Sequence, residues 1–199
     1  MTAKEHALKI FKEHGGTLRT NDALAAGIHP RTLYAMRDSR ELEQSARGLY
    51  RLAALPAPGE PDLITVAKRI PKGVLCLISA LAFHQLTTQV PHHIQVALPR
   101  TARTPKLAYP PIQIFRFSEE SFTAGIETHV LDGVPVRVYS PEKTLADAFK
   151  YRNKIGRDVA TEALRAYRSR QKPQFQKILQ YARACRVERI IRPYLESFL

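Results

Sequence analysis

The sequence predicts an α+β protein that begins with a winged helix-turn-helix domain and continues into a mixed α+β domain with a helical tail. Three observations predict this fold class: apolar residues at helical spacing in the first 38 residues, a strand–turn–strand pattern directly after them, and a proline-rich interruption at 53–61. Three prolines and one glycine in those nine residues can continue neither a helix nor a central strand. We therefore expect domains at 1–52 and 62–199, joined by a linker at 53–61.

Three short helices and a hairpin are expected in the first domain. Apolar residues at helical spacing predict a helix at 4–14. Thr20 is the expected N-cap of a second helix at 21–26, and a proline in the first turn favours a third helix at 30–38. Residues 42–52 then alternate as two strands around a short turn. This order of elements is typical of a winged helix.

Residues 20–38 have the pattern of a helix-turn-helix, with a tight turn at Gly27. The second helix of such a unit lies on the outside, where its side chains can enter the major groove of DNA. Apolar side chains must then face the core. We expect this of Leu24, Ile28, Leu33 and Met36 in the helices, and of Leu42, Leu49 and Leu52 in the hairpin.

The outward side of the second helix and the hairpin, which forms the wing, would present polar and basic side chains to DNA. Arginine binds guanine O6 and N7 in a bidentate manner, and hydroxyl groups donate to phosphates. The residues expected to contact DNA are Arg31, Thr32, Tyr34 and Arg37 on the helix, and Arg47 and Arg51 on the wing. The alternative is a winged helix that contacts only proteins, with these side chains on a solvated face.

The second domain is expected to combine a small sheet with several helices. An Asp132-Gly133 turn predicts a hairpin at 126–139, and Ser140 followed by Pro141 is a good helix start. Ser79 is a second expected N-cap. The other expected elements are helices at 62–70, 80–86, 141–151, 158–168, 173–184 and 187–198, and strands at 74–78, 94–98 and 112–117.

Net charge favours a polyanionic partner. The chain carries +13, and residues 140–199 hold 14 Lys and Arg against 6 Asp and Glu. Such an excess attracts nucleic acid by Coulomb forces and counterion release. We hypothesise a second basic surface on the C-terminal helices that includes Arg165, Arg168 and Lys172, and that follows flanking DNA or meets an acidic or RNA-bound partner. The alternative is a solvated face that serves solubility.

Enzyme and metal chemistry find little support in the sequence. A nuclease would need spaced acidic ligands for Mg²⁺, but Glu142 and Lys143 are adjacent, and Asp132 is the other candidate. His84, His92 and His93 lack a cluster that would complete a tetrahedral metal site. The distant Cys76 and Cys185 are expected to be reduced thiols. We expect no catalytic activity, no metal and no cofactor.

The segment 141–147, PEKTLAD, is expected to be a helix start whose Glu142 suits the helix dipole. A functional alternative is that Lys143, Asp147 and Lys150 form an exposed face that contacts a partner. No apolar run approaches the ~20 residues of a membrane helix, and the N-terminus lacks the apolar region of a secretory signal. These features predict a cytoplasmic protein.

The sequence resembles a known family in three stretches: ALKIFKEHGGTLRTNDALAAGIHPRTLYAMRDSRELEQSARGLYRL at 7–52, GVLCLISALAFHQLTTQVPHHIQVALPR at 73–100 and VRVYSPEKTLADAFKYRNKIG at 136–156. They are similar to the AbiEi-type antitoxins of type IV toxin–antitoxin systems, which act in abortive phage infection. The resemblance implies an N-terminal domain that represses its own operon at inverted repeats, where two copies could associate on DNA. It implies a second domain that neutralises a nucleotidyltransferase-like toxin. The alternative is a stand-alone winged-helix transcription regulator whose second domain senses or oligomerises.

Overall fold

The computed structural model describes residues 2–55, 59–170 and 172–197. The chain forms one antiparallel and one mixed sheet, and the described helices after residue 140 follow one another without a strand between them, which confirms the α+β class. The chain divides into two compact units, of residues 1–71 with 129–136, and of residues 72–128 with 137–199. Of the predicted linker, residues 56–58 lie outside the described residues, as does residue 198 of the last predicted helix.

The first unit holds a small antiparallel sheet and four helices in its described residues. The sheet has the strand order β1-β3-β2, in which the wing strands β2 and β3 pair with each other and β3 also pairs with β1. The elements are α1 (Ala3–Glu13), β1 (Thr17–Arg19), α2 (Thr20–Ala25), α3 (Pro30–Asp38), β2 (Leu42–Ala46), β3 (Leu49–Leu52) and α4 (Pro61–Arg69).

One apolar core holds the helices and the sheet of the first unit together. Phe11 of α1 and Leu33 of α3 are fully buried there, and Leu18 of β1 is almost so. Leu42 and Leu52 of the wing join the same core, as predicted. Because the apolar side of α3 packs into this core, its opposite side is exposed to solvent.

The strands after residue 72 form a five-stranded mixed sheet with the order β6-β5-β4-β8-β7. Strand β5 runs parallel to β6 and antiparallel to β4, and β4 runs parallel to β8. The elements are β4 (Val74–Leu75), α5 (Leu77–Phe83), β5 (Ile94–Pro99), β6 (Ile112–Phe117), α6 (Glu119–Thr123), β7 (Ile126–Leu131), β8 (Val134–Tyr139), α7 (Pro141–Lys150), α8 (Arg152–Ile155), α9 (Arg157–Arg168), α10 (Phe175–Ala184) and α11 (Glu188–Glu196).

Helix α7 is the central helix of the second unit. Its residues 142–149 are all buried, because α5, α9, α10 and α11 pack around it. Leu145 and Phe149 contribute to the large apolar cluster of the helical tail. Ser140 caps this helix as predicted, since its Oγ accepts a hydrogen bond from the Lys143 N–H at 3.2 Å.

Two predicted caps are wrong. Thr20 is the first residue of α2 and follows the cap residue Arg19, and its hydroxyl donates to Gly48 O at 3.4 Å. Ser79 lies inside α5, where its Oγ accepts from the Gln95 N–H at 2.8 Å and so ties the helix to β5. Both residues serve long-range contacts that local sequence patterns do not report.

The boundaries between the two compact units differ from the predicted domain limits at residues 52 and 62. Helix α4 clusters with the first unit, and so does the tip of the β7–β8 hairpin, residues 129–136. In that tip Gly133 approaches Gly15 so closely that a Cβ on Gly15 would lie 2.4 Å from Gly133 O. The first unit is therefore assembled from two separate stretches of sequence.

Candidate nucleic-acid interface

The helix-turn-helix is formed by α2, a turn and α3. Gly27 in the turn has a φ of +95°, a conformation that L side chains rarely adopt. His29 caps α3, as its Nδ1 accepts a hydrogen bond from the Arg31 N–H at 3.2 Å, and Pro30 occupies the first helical position. These local features start a new helix directly after the turn.

Helix α3 has the orientation that the sequence predicts. Ile28, Leu33 and Met36 are buried in the core of the first unit. Arg31 lies on the opposite side and is exposed, while Thr32 is half-buried beside it. The guanidinium of Arg31 is therefore placed to reach a ligand in solution.

The second turn of α3 carries a pair of side chains that support each other. Tyr34 is 41% exposed, and the guanidinium of Arg37 lies 5.2 Å from the centre of its ring. Arg37 also donates from Nε to Asp38 Oδ1 at 2.8 Å, and this contact raises the pKa of Arg37. Arg37 stays a cation, with Asp38 as an exposed partner that a phosphate could replace.

The wing turn is supported by Arg69 of α4, a residue that the sequence patterns do not single out. Arg47 is exposed at the turn, and its carbonyl accepts a hydrogen bond from Arg69 Nη1 of α4 at 2.8 Å. The β2 strand has a bulge between Gln44 and Ala46, next to this turn. No local sequence signal links Arg69 to a turn 22 residues earlier, because the contact depends on tertiary packing.

The prediction that Arg51 approaches DNA does not fit its position. Arg51 is only 8% exposed, because β3 is the central strand of the sheet and lies between Thr17 of β1 and Glu43 of β2. Its Nη1 lies 3.7 Å from Glu43 Oε2. Strand alternation alone does not distinguish a central strand from an edge strand, because β1, the second neighbour of β3, has only three residues.

The prediction that Leu24 faces the core is also wrong. Leu24 is 38% exposed, and Ala23 is the fully buried residue of α2. Ala23 faces the core, and Leu24, which points about 100° away from it around the helix, does not. With six residues, α2 is too short for its apolar periodicity to decide which one does.

The prediction of an exposed partner face on α7 is wrong for two of its three residues. Lys143 and Asp147 are 0% exposed and form an ion pair, with 2.6 Å between Nζ and Oδ2. Lys150 is exposed at the end of the helix. The four-residue spacing places the two charges on the same side of α7, which in this unit is an inward side.

Aromatic rings and a thiol complete the surroundings of the buried ion pair. The Lys143 Nζ lies 4.2 Å from the ring centre of Tyr139, and the Cys185 Sγ donates to Asp147 Oδ1 at 3.3 Å. Burial raises the pKa of Asp147, although Lys143 opposes this effect. Burial and the Asp147 carboxylate raise the pKa of Cys185 to about 11, and burial raises that of Cys76 well above its ordinary value.

Three of the residues considered for nuclease or metal chemistry, Glu142, Asp132 and His84, have structural partners. Glu142 Oε1 accepts from the Tyr167 hydroxyl at 2.5 Å, and Asp132 Oδ2 accepts from the Gly59 N–H at 3.2 Å. His84 Nε2 lies 2.7 Å from Tyr139 O, whereas His92 and His93 are exposed. Within residues 2–55, 59–170 and 172–197, no three His, Cys, Asp or Glu side chains converge as a metal site would require.

The predicted second basic surface lies on and just after α9. Arg165 and Arg168 are exposed and three residues apart on the helix, and Lys172 is exposed beyond its end. The inward side of α9 is apolar, with Val159, Leu164 and others buried. The three cations thus belong to one solvent-facing stretch of the second unit.

The comparisons with known proteins agree with the fold of the first unit. Residues 6–53 match the family model described as the transcriptional regulator, AbiEi antitoxin. No curated protein matches the chain. A crystal structure of the RV2827C protein from Mycobacterium tuberculosis is similar in fold, with a TM-score of 0.50 and 16% identity over 96% of this chain and 81% of that one.

No helix in the described part of the chain is long and apolar enough to span a bilayer. The family match covers α1 through β3, which are the helix-turn-helix and the wing. It confirms the predicted resemblance in the N-terminal region. The winged helix-turn-helix of this chain is thus similar to that of the AbiEi antitoxin transcriptional regulators.

Proposed function

We propose that the chain is a cytoplasmic transcriptional autorepressor and the antitoxin of a type IV system that acts in abortive phage infection. The observation that carries the proposal is the orientation of α3, which buries Leu33 and Met36 and presents Arg31 and Tyr34 to solvent. The match of residues 6–53 to the AbiEi antitoxin regulators supports it.

Operator recognition would divide between α3 and the wing. Arg31, in the first turn of α3, would read guanine in the major groove. Thr32, Tyr34 and Arg37 would bind phosphates and set the register of the helix. Arg47 would contact the backbone or the minor groove from the wing turn, which Arg69 steadies.

Binding of DNA is tested with the intergenic DNA upstream of the operon by fluorescence anisotropy. Removal of a bidentate guanine contact costs roughly tenfold or more in affinity, so we expect that loss from Arg31→Ala. Lys9→Ala removes a cation from α1, and Lys9 is outside the proposed interface, so the affinity should stay the same. If Arg31→Ala and the wild type bind the operator with equal affinity, α3 is not the helix that recognises the DNA sequence.

The antitoxin activity is proposed for the second unit and directed at a nucleotidyltransferase-like toxin encoded beside the gene. We infer that it needs no catalysis by this chain, since Glu142 and Lys143 are engaged within the fold. Whether antitoxin and toxin touch or act on a common target is a separate question, which co-purification from the co-expressing strain answers.

Co-expression with that neighbouring toxin tests the antitoxin activity. The full chain carrying Arg31→Ala and Tyr34→Ala should restore growth although it no longer represses the operon. If growth is restored by neither this variant nor the wild type, the chain is a stand-alone regulator. Cleavage of nucleic acid by the purified protein with Mg²⁺ would contradict the proposed absence of catalysis.

A further inference from the structure

The net charge of the chain is concentrated in the unit that lacks the helix-turn-helix. The second unit holds 20 Lys and Arg against 9 Asp and Glu, whereas the first unit holds 11 against 9. The second unit thus carries +11 of the total +13. An excess of this size attracts a polyanion and binds it by counterion release. Because little of the charge lies on the winged helix, it favours a further polyanionic ligand at the second unit.

A cavity of about 590 Å³ lies in the second unit, at the N-terminal ends of β5 and β6. Its lining consists of residues 89–93 together with Ile78 of α5, Gln95 of β5 and Gln113 of β6, all within the described stretch 59–170. The volume falls in the range of pockets that hold small organic groups, roughly 300–1,000 Å³. These lining residues carry amides, imidazoles and apolar side chains and no Lys, Arg, Asp or Glu. The cavity therefore suits an uncharged group that forms hydrogen bonds.

Two glutamine amides in this lining have fixed orientations. The parallel register pairs Gln95 with Gln113. Ile78 is in the first turn of α5, where its N–H has no intrahelical acceptor, and it donates to Gln95 Oε1 at 2.7 Å. The Gln95 NH2 group must then face Gln113, and it donates to Gln113 Oε1 at 3.1 Å. Gln113 is exposed, so its own NH2 group is oriented in advance to donate to a ligand.

The rim of the cavity adds side chains that can cover the flat face of a ring. Val90 is 83% exposed, and His92 and His93 are exposed beside it. The Ser79 hydroxyl of α5 donates to His93 O at 3.5 Å and so holds this segment on the helix. Imidazole rings stack on nucleobases, and side-chain amides pair with the donors and acceptors of base edges. A nucleobase is flat and uncharged, and it therefore matches both parts of the lining.

The segment that leads to this rim lies along α9. Thr88 Oγ1 donates to Glu162 Oε1 at 3.3 Å, and Arg170 Nη2 donates to His84 O. Arg165 is exposed and follows Glu162 by three residues, which places it on the same side of α9. A phosphate chain that leaves the cavity over residues 84–88 would therefore run towards Arg165.

We propose that the second unit binds single-stranded nucleic acid, with one base in this cavity and the phosphates directed along residues 84–88 towards Arg165. Gln113 binds the edge of the base, and His92 and His93 offer rings for stacking. A duplex does not fit, because its bases are paired and stacked and cannot enter a cavity unless they are flipped out. The ligand is thus distinct from the operator duplex that is proposed for α3.

Binding is tested on the full chain at low salt by fluorescence anisotropy with labelled oligoadenylate of about 12 nucleotides, a length within the usual range of single-strand sites. One probe is RNA and one is DNA, which identifies the sugar that the site accepts. We expect a Kd of about 10 μM or tighter for at least one of them. The same RNA strand paired with oligouridylate carries more phosphates but no accessible base, and it should bind at least about tenfold more weakly.

Two variants locate the base in the cavity. Gln113→Leu removes the oriented amide, and His92→Ala/His93→Ala removes both rings. Each should weaken binding of the single strand about tenfold, and neither should unfold the chain, since the altered side chains are exposed. Gln176→Leu and His6→Ala are the matched controls, because they alter an exposed glutamine and an exposed histidine outside the lining. Both controls should bind as the wild type does.

A third variant tests the direction of the phosphates. Arg165→Glu should reduce the slope of log K against log salt by about 0.7, the value for one phosphate contact of a single strand. Arg103→Glu makes the same change in net charge at another exposed position and should leave the slope unchanged. Equal slopes for Arg165→Glu and the wild type would contradict the proposed path.

This site and the proposed operator site can fail separately. Arg31→Ala should bind the single strand as the wild type does, although it loses affinity for the operator; loss of both ligands would place the single strand on α3 and overturn the proposal. The proposal is also wrong if the wild type binds neither strand, if the duplex binds as tightly as the single strand, or if Gln113→Leu and the double histidine variant bind normally. Single-strand binding without any operator binding would contradict only the proposed function.

Discussion

At the residue scale, the buried ion pair of Lys143 and Asp147 has a large energetic consequence. Both side chains are removed from water, and each charge depends on the other at 2.6 Å. A buried charge without its partner is far more costly than a buried pair, and a pair can often be replaced by apolar residues of similar volume. The two residues should therefore be strongly coupled in stability.

Lys143→Met should lower the free energy of unfolding by about 3–5 kcal/mol. The double variant Lys143→Met/Asp147→Leu should lose less than this single variant, because it leaves no charge behind. Urea unfolding followed by circular dichroism measures both values. A double variant that loses as much as the sum of both single variants would show that the charges do not interact.

The same variant should respond to pH in a defined direction. Burial raises the pKa of Asp147 in the folded state above its ordinary value of 3.8, and removal of Lys143 raises it further. Above the folded-state pKa, the buried charge of Asp147 lowers the free energy of unfolding by its full amount. This loss shrinks as pH falls through that pKa, because Asp147 becomes protonated. Lys143→Met should thus regain part of its stability, relative to the wild type, as pH falls from neutrality towards that ordinary value.

The buried cysteines predict an alkaline loss of stability. Burial and Asp147 raise the pKa of Cys185 from 9.0 to about 11 in the folded chain, whereas the unfolded thiol ionises near its ordinary value. Stability is unaffected below pH 9 and falls as pH rises from 9 towards 11. Cys185→Ser should flatten this fall. At pH 8 both thiols should be inert to Ellman's reagent until the protein is unfolded in urea.

At the element scale, most helices could be predicted because caps and periodicity are local properties. The helix 30–38 is an example, since Pro30 and the apolar spacing lie within it. Strand β1 could not be predicted, because it has three residues and exists only through pairing with β3. The missed strand made β3 look like an edge strand, so Arg51 was assigned to DNA although it is buried.

The turn between α2 and α3 depends on one glycine. Gly27→Ala should destabilise the chain by about 1–2 kcal/mol, the cost of a left-handed conformation for an L side chain. The cost is conformational, because the nearest atom to the added Cβ would be His6 Nε2 at 3.8 Å. Gly59→Ala is the matched control, since nothing lies within 4 Å of its Cβ. Thermal unfolding should show a lower melting temperature for Gly27→Ala and an unchanged one for Gly59→Ala.

At the scale of the whole molecule, the uneven charge remains the main functional question. Residues 140–199 hold 14 of the 31 Lys and Arg, and composition could predict that excess. It could not predict that Lys143 is buried, because a charge count does not tell inward from outward helix faces. Exposed Arg165, Arg168 and Lys172 keep the hypothesis of a second DNA-contacting surface open to test.

Reversal of these three charges measures their role. If the surface contacts DNA, Arg165→Glu/Arg168→Glu/Lys172→Glu should weaken operator binding and reduce the slope of log K against log salt by up to about 3. Arg100→Glu/Arg103→Glu/Lys106→Glu reverses the same number of exposed charges elsewhere in the unit. If both triple variants weaken operator binding equally, only the net charge matters. If the variant at 165, 168 and 172 binds the operator as the wild type does, this surface does not contact DNA.

The two-part construction of the first unit also sets the order in which its contacts can form during synthesis. Residues 129–136 complete that unit, and they are translated up to 65 residues after its main stretch ends at residue 71. At about 5–20 residues per second, this delay is roughly 3–13 s. On the ribosome, the turn at Gly15 should therefore lack its contact with Gly133 for that interval, and the contact should form only once the hairpin has emerged.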